Sequence, residues 1–360
     1  MKRIALIFFA VVLAVAQQSC KQCNNQPDVP AVVEDSTQIP GLKAINNDIA
    51  KDSTNPYLYY KRAQLYQAND QLKSALTDMF IALSLDSVRP EFYVYAAELF
   101  KQTGEPQRGI VLMDKAIVTD SFNTAYYVKA AELSYIDTTM KGNYIIAMNY
   151  LNTAISKDPQ NADIYFFKGN VFKEMKDTAK AISSFQTATE LNPQYYDAYV
   201  QIGLLLKQRN DKNAEKYFDN AIKVKENAED ALYAKANLQK EEGLKLYDAG
   251  KIPQSTIRLQ TAIETFKQAI TANHRNIEAY MGVAFCYYQI DSVPQAYEYY
   301  DKAIKISPLY AGAYFSKGLC AEDLGKINEA IMLYENCLNI DPNFTRAKEH
   351  LQAIKSSKQN

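Results

Sequence analysis

The sequence predicts an all-α solenoid of about eight helix–turn–helix units, closed by a C-terminal capping helix. Three observations predict it. Small residues recur at a step of 34, as Ala63, Ala97 and Ala131, then Gly169 and Gly203, then Ala284 and Gly318. A tyrosine stands four residues before each of them: Tyr59, Tyr93, Tyr127, Tyr165, Tyr199, Tyr280 and Tyr314. A second small residue follows 19 positions after most of them, at Ala82, Ala116, Ala188, Ala303 and Cys337. Spacings of three and four place side chains on one stripe of a helix. The small residues mark where two helix backbones approach closely. A hairpin of this kind cannot bury both of its apolar faces alone, so it needs copies of itself on either side.

The chain opens on a segment of different character. Lys2 and Arg3 precede an unbroken apolar run from Ile4 to Ala16. That run is too short to span a bilayer and reads as a signal peptide over residues 1–19. Two cleavage sites compete. Ala14-Val15-Ala16 would release a soluble protein, whereas Gln17-Gln18-Ser19-Cys20 resembles the end of a bacterial lipoprotein signal, in which Cys20 becomes lipidated. Residues 20–40 carry Pro27, Pro30 and Pro40 and read as a flexible spacer. Cys20-x-x-Cys23 lacks the strand–helix context of a redox motif. No acidic run follows Cys20, which favours the periplasmic face.

Residues 41–55 read as a lone capping helix. The units then run 56–89, 90–123, 124–161, 162–195, 196–228, 229–276, 277–310 and 311–344, with a charged capping helix over 345–360. Pro56 and Pro90 suit helix starts, where the missing N–H costs nothing. Pro193, Pro308 and Pro342 end helices. The third unit carries extra residues around Asp137 to Met140, and the fifth is one residue short near Asn210. The sixth is long. Gly243 follows Ala236 by seven, and its second-helix signature, Ala262, Phe266 and Ala269, arrives 14 residues late. Seven residues are close to two helical turns and preserve the face. Each helix of this hairpin is therefore expected to gain about two turns, with a turn near Gly250 to Pro253. Leu246, Tyr247, Ile257 and Leu259 at its tip either cover one another or form a docking element.

This pattern resembles the tetratricopeptide repeat over residues 56–344. The family's usual aromatic at the fourth repeat position is Trp; this chain has no Trp and uses Tyr. The resemblance implies a right-handed superhelix in which the first helix of each repeat lines a concave groove, its second, fifth, ninth and twelfth positions facing a bound peptide. Carried over, the expected partner-binding residues are Phe166, Asn170, Tyr233, Asn237, Met281, Phe285, Tyr288, Phe315 and Leu319. Asn170 and Asn237 occupy positions used in a Lys/Asn carboxylate clamp, but aromatic residues replace the basic partners, which argues against such a clamp. Their amides can still hydrogen-bond an extended peptide. Met281, Phe285, Tyr288, Phe315 and Leu319 are expected to form a contiguous apolar lining, the kind of patch that marks an interaction site, unless neighbouring helices bury them. On the first reading, Phe285→Ala with Phe315→Ala leaves melting nearly unchanged.

Little remains for chemistry. The net charge is −1 and the pI about 6.2, with no basic stripe, so nucleic acid is not an expected partner. The two histidines, His274 and His350, read as solvated. Cys286, Cys320 and Cys337 read as packed small apolar residues. No H-E-x-x-H, phosphate loop or G-x-S-x-G occurs. The expectation is a protein without catalytic residues, metal or cofactor: a protein–protein interaction scaffold or adaptor of the bacterial cell envelope, similar to periplasmic tetratricopeptide-repeat lipoproteins. It would be lipid-anchored to the outer membrane facing the periplasm, or secreted if cleaved after Ala16. The alternatives are a lipoprotein that captures a glycan or small molecule, and a structural envelope protein that self-associates as a homo-oligomer.

Overall fold

The computed structural model describes residues 39–136 and 143–357. The signal peptide, Cys20, nearly all of the spacer and the extra residues around 137–140 lie outside the described residues. Among the described residues there are eighteen α-helices and no strand, so the fold is the all-α repeat class that the 34-residue step predicts. The chain divides into two units at Thr103/Gly104.

In the first unit, α1 (Leu42–Lys51) precedes the hairpin of α2 (Pro56–Ala68) and α3 (Leu72–Leu85), and α4 (Pro90–Gln102) packs on α3. Asn55 caps α2 by accepting a hydrogen bond from the Tyr57 N–H, with Pro56 in the first turn. Ala63 and Ala82 are fully buried where the backbones meet. Arg62 reaches across to Asp78 at 2.7 Å through two nitrogens. Burial pushes the Asp78 carboxyl up, and the Arg62 guanidinium only partly offsets it.

The second unit holds the remaining helices. They are α5 (Pro106–Thr119), α6 (Thr124–Ile136), α7 (Asn143–Lys157), α8 (Ala162–Glu174), α9 (Thr178–Leu191), α10 (Tyr196–Gln208) and α11 (Ala214–Val224). They continue as α12 (Glu229–Asp248), α13 (Ile252–Ala272), α14 (Ile277–Gln289), α15 (Val293–Ile306), α16 (Ala311–Asp323), α17 (Ile327–Ile340) and α18 (Thr345–Ser357). Each helix packs on the next. The apolar clusters span adjacent hairpins: one joins Phe185 and Ala188 to Ile202 and Phe218, and the next joins Leu232, Phe266 and Ala269 to Val283 and Cys286. Each hairpin thus buries its outer face on its neighbour, as a stack of nearest-neighbour interfaces requires.

Two local devices recur. In several hairpins the glycine of the first helix faces an aromatic ring of the second. A Cβ added at Gly169 would lie 2.6 Å from the ring of Phe185, and one at Gly318 would lie 2.5 Å from the ring of Tyr334. Seven residues after the small residue, the chain turns through a left-handed position: Lys176, Asn210, Asp291 and Gly325 in this unit all have φ between 53° and 73°. That single residue ends the helix and reverses the chain.

The sixth hairpin is long, with α12 and α13 running 20 and 21 residues against 13 for α14. Gly250, its left-handed turn residue, stands seven after Gly243 rather than Ala236. Gly243 therefore takes the close-contact role at the outer end, where an added Cβ would meet Leu259 at 2.8 Å. Ser255 donates to the Gly243 carbonyl at 2.7 Å. At the tip Leu259 is buried and Leu246 half-buried, while Tyr247 and Ile257 are exposed, so the apolar residues cover one another only in part. Arg258 braces the hairpin to the preceding repeat: it meets Glu215 of α11 at 2.6 Å and also pairs with Glu242 of α12.

Candidate protein-interaction groove

The groove residues come from first helices three repeats deep. On α12, Tyr233, Asn237 and Lys240 are spaced by four and three; on α14, Met281, Phe285 and Tyr288 repeat that spacing; on α16, Phe315 and Leu319 continue it. Each set therefore lies on one helical stripe. The structure brings these stripes together around two concavities. One of about 260 Å³ is lined by Tyr233, Asn237, Lys240, Met281 and Phe285, among others. The other, of about 320 Å³, is lined by Met281, Phe285, Tyr288, Phe315, Leu319, Phe344 and Arg346, among others. Both share Met281, Phe285, Tyr300 and Ser316, so they form one trough.

The side chains in the trough differ in freedom. Tyr233, Met281, Phe285, Tyr288 and Leu319 are half-buried. Phe315 is not a free lining residue as expected: it is only 3% exposed. Its ring lies 5.0 Å from Phe344 and 5.7 Å from Tyr334, and the His350 ring meets it edge-on at 5.7 Å. The cause is the capping helix, whose His350 and preceding Phe344 fold over the last repeat. Phe315 belongs to the core, so its truncation is expected to cost stability. His350 departs from its expected solvated state for the same reason: half-buried, it sets Nδ1 3.1 Å from Glu322.

The amides differ too. Asn237 is spent within its own helix, its Nδ2 donating to the Tyr233 carbonyl at 3.0 Å and its Oδ1 accepting from Lys240 at 2.9 Å. Phe166 and Asn170, on α8, line neither concavity. Phe166 is stacked on Tyr195 at 5.0 Å and lies 5.5 Å from Phe185.

Lys240 escaped the sequence reading, although it stands at the twelfth repeat position, one that faces the groove in the family. Its ammonium lies over the rings of Phe266 and Phe285, 6.0 and 5.8 Å from their centroids. Burial lowers its pKa from the ordinary lysine value. Burial also pushes the Tyr288 hydroxyl up to about 12, helped by its hydrogen bond to Asp323. The thiols of Cys286 and Cys320 are pushed up to about 12, and that of Cys337 to about 11, again by burial. They are therefore weak nucleophiles at neutral pH. Among the described residues, no group of three His, Cys, Asp or Glu side chains could hold a metal ion, and no helix is long and apolar enough to cross a membrane.

A family profile of the tetratricopeptide repeat matches residues 162–195 and 311–344. These two segments, the fourth and eighth hairpins, are therefore tetratricopeptide repeats in sequence. None of the curated proteins matches it. Among solved structures it is similar to a tetratricopeptide repeat protein from Parabacteroides merdae, with 20% identity, TM-score 0.45, and 74% of this chain and 98% of that one covered. It is also similar to the C-terminal part of a TPR repeat-containing protein from Cytophaga hutchinsonii, with 18% identity, TM-score 0.41, and 76% and 92% covered. A third is YrrB, described as a TPR protein with an unusual peptide-binding site, with 17% identity, TM-score 0.44, and 56% and 97% covered.

Proposed function

We propose that this protein is a non-catalytic scaffold or adaptor of the bacterial cell envelope that captures a protein or peptide through the trough between α12, α14 and α16. The observation that carries this reading is the trough itself: half-buried Met, Phe, Tyr and Leu side chains from three successive repeats meet in one continuous concavity. Such adaptable apolar groups suit a protein partner. The N-terminal sequence supports an envelope location, with Cys20 as the lipid anchor. Several acyl chains, at roughly 0.8 kcal/mol per buried methylene, would hold the protein on a membrane. The buried, raised thiols are consistent with a non-catalytic role.

The test is co-purification from the protein's own cells after crosslinking, wild type beside Met281→Ala/Leu319→Ala, with mass spectrometry. A partner captured by the wild type and lost in the variant supports the reading. A partner retained by the variant, or recovery of the protein alone, refutes it, and the latter favours a self-associating structural role. Intact mass of the purified protein reports whether Cys20 carries lipid.

A further inference from the structure

Several buried or half-buried cations elsewhere in this unit meet carboxylates. Lys235 lies 2.6 Å from Asp219, Arg258 lies 2.6 Å from Glu215, and Lys317 lies 2.6 Å from Asp301. The two cations of the trough, half-buried Lys240 and exposed Arg346, do not. At one end Lys240 is half-buried, and its partners are the neutral Asn237 amide and two aromatic rings. At the other end the Arg346 guanidinium lies 4.8 Å over the Phe315 ring. Among the described residues, neither cation has a carboxylate within ion-pair distance. The apolar floor between them is Met281, Phe285 and Leu319. Glu278 shares the wall near Lys240 but makes no ion pair with it.

The geometry points to a ligand of definite chemistry: an extended segment of a partner protein in which one or two large apolar side chains are flanked on both sides by acidic ones. The apolar group fills the floor, and the flanking carboxylates meet Lys240 and Arg346. This rests on the reading of the trough as a protein-binding surface. A desolvated ammonium held by rings and an amide retains unused donor capacity, since an ammonium has three donors. A hydrogen bond to a charged partner is stronger than a neutral one, and stronger still away from bulk water. The lowered pKa of Lys240 is in line with this, because the cation has lost water without gaining an anion. The larger concavity, about 320 Å³, lies at the small end of ligand-site sizes. That suits a short side-chain cluster.

The probe is a pool of fluorescein-labelled, C-terminally amidated octapeptides, Gly-Ser-Glu-X-X-Glu-Gly-Ser, with X drawn from Phe, Leu, Met and Tyr. Fluorescence polarisation measures binding to the full chain. Matched pools replace Glu by Gln or by Lys. The inference predicts that the Glu pool binds about tenfold or more tighter than the Gln pool, with the Lys pool weakest. Lys240→Met and Arg346→Gln should each reduce the Glu preference, read as the ratio of Glu-pool to Gln-pool affinity, and the two together should remove most of it. Added salt should erode the preference, most of all at exposed Arg346. Equal binding of the Glu and Gln pools overturns the inference, as do a preference for Lys, a Glu preference indifferent to both substitutions, and an absence of saturable binding. The two readings fail separately. If the neutral pool binds as well as the acidic one and Met281→Ala/Leu319→Ala abolishes both, the charge assignment falls and the trough stands. If Met281→Ala/Leu319→Ala leaves the affinity for both pools undiminished, the trough reading falls.

Discussion

Truncating Phe315 to alanine separates core from groove in the last repeat. The ring is 3% exposed and enclosed by Tyr334, Phe344, His350 and Arg346. Removing a buried phenylalanine costs about 3–5 kcal/mol, lost transfer energy and residual cavity together. In a stack of nearest-neighbour interfaces this loss stays local: it falls on α16 and on α17 and α18, the last described helices, which pack on it in turn, so these open without the rest of the unit. Hydrogen exchange read by mass spectrometry is the suitable assay, because a single melting temperature does not describe an array that frays from one end. At about 1.4 kcal/mol per power of ten, protection in α16–α18 should fall by roughly two to three and a half powers of ten, while α8–α11 keep theirs. Phe285→Ala, at a half-buried site, should cost distinctly less. Unchanged protection in α17 and α18 after Phe315→Ala would refute the assignment of this ring to the core.

Gly169→Ala should destabilise the fourth repeat despite alanine's helix propensity advantage of about 1 kcal/mol. Its Cβ would meet the fully buried Phe185 ring at 2.6 Å, and overpacking costs about 1–3 kcal/mol; urea denaturation read by far-UV circular dichroism measures the balance. Glu215 governs an acid response. Burial alone would raise its carboxyl, but hydrogen bonds from Arg258 and Gln239 hold it below its ordinary value. A depressed folded pKa contributes stability above the unfolded value, about 4.3, and loses it as pH falls through the folded one. The wild type should therefore exceed Glu215→Gln in urea midpoint at pH 7, with the difference shrinking as pH falls below about 4.3; a pH-independent difference would contradict the linkage. Lys240→Met should leave thermal stability at pH 7 equal or higher, since it removes a desolvated cation that lacks a carboxylate partner. With a folded pKa below the unfolded one, that cation costs stability at low pH and the cost fades as pH rises toward about 10. Any gain in melting temperature should shrink accordingly.

The period was legible because most repeats spend their chemistry on the same features: a small residue at the close approach of two helices, a tyrosine four positions earlier, often a proline at a boundary. The fold class follows from these without tertiary information. The burial of individual groove residues was not legible. Repeat position places Phe315 on the concave face just as it places Met281. What buries Phe315 is the capping helix, and a pattern built on repeats carries no information about what lies beyond the last one. His350 was misread for the same reason. Lys240 stands at the same twelfth position as Tyr288, but a lysine there reads as an ordinary solvated charge until the structure shows it half-buried over two rings. Asn237 was placed on the groove-facing stripe, but sequence cannot tell that its amide is engaged by Tyr233 and Lys240. The recurrent left-handed residue was visible only in part, as Gly104, Gly250 and Gly325. At Asp70, Lys176, Asn210 and Asp291 a side chain occupies the same conformation and hides the turn.

Site-specific photocrosslinking in the protein's own cells tests the central claim most directly. A benzophenone side chain is placed at Tyr288 or Leu319 in the trough, and at Met332, which is exposed on the second helix α17. The account predicts a discrete adduct with another protein from the two trough positions and none from Met332. Adducts of equal yield from Met332, or no adduct from either trough position, would contradict it.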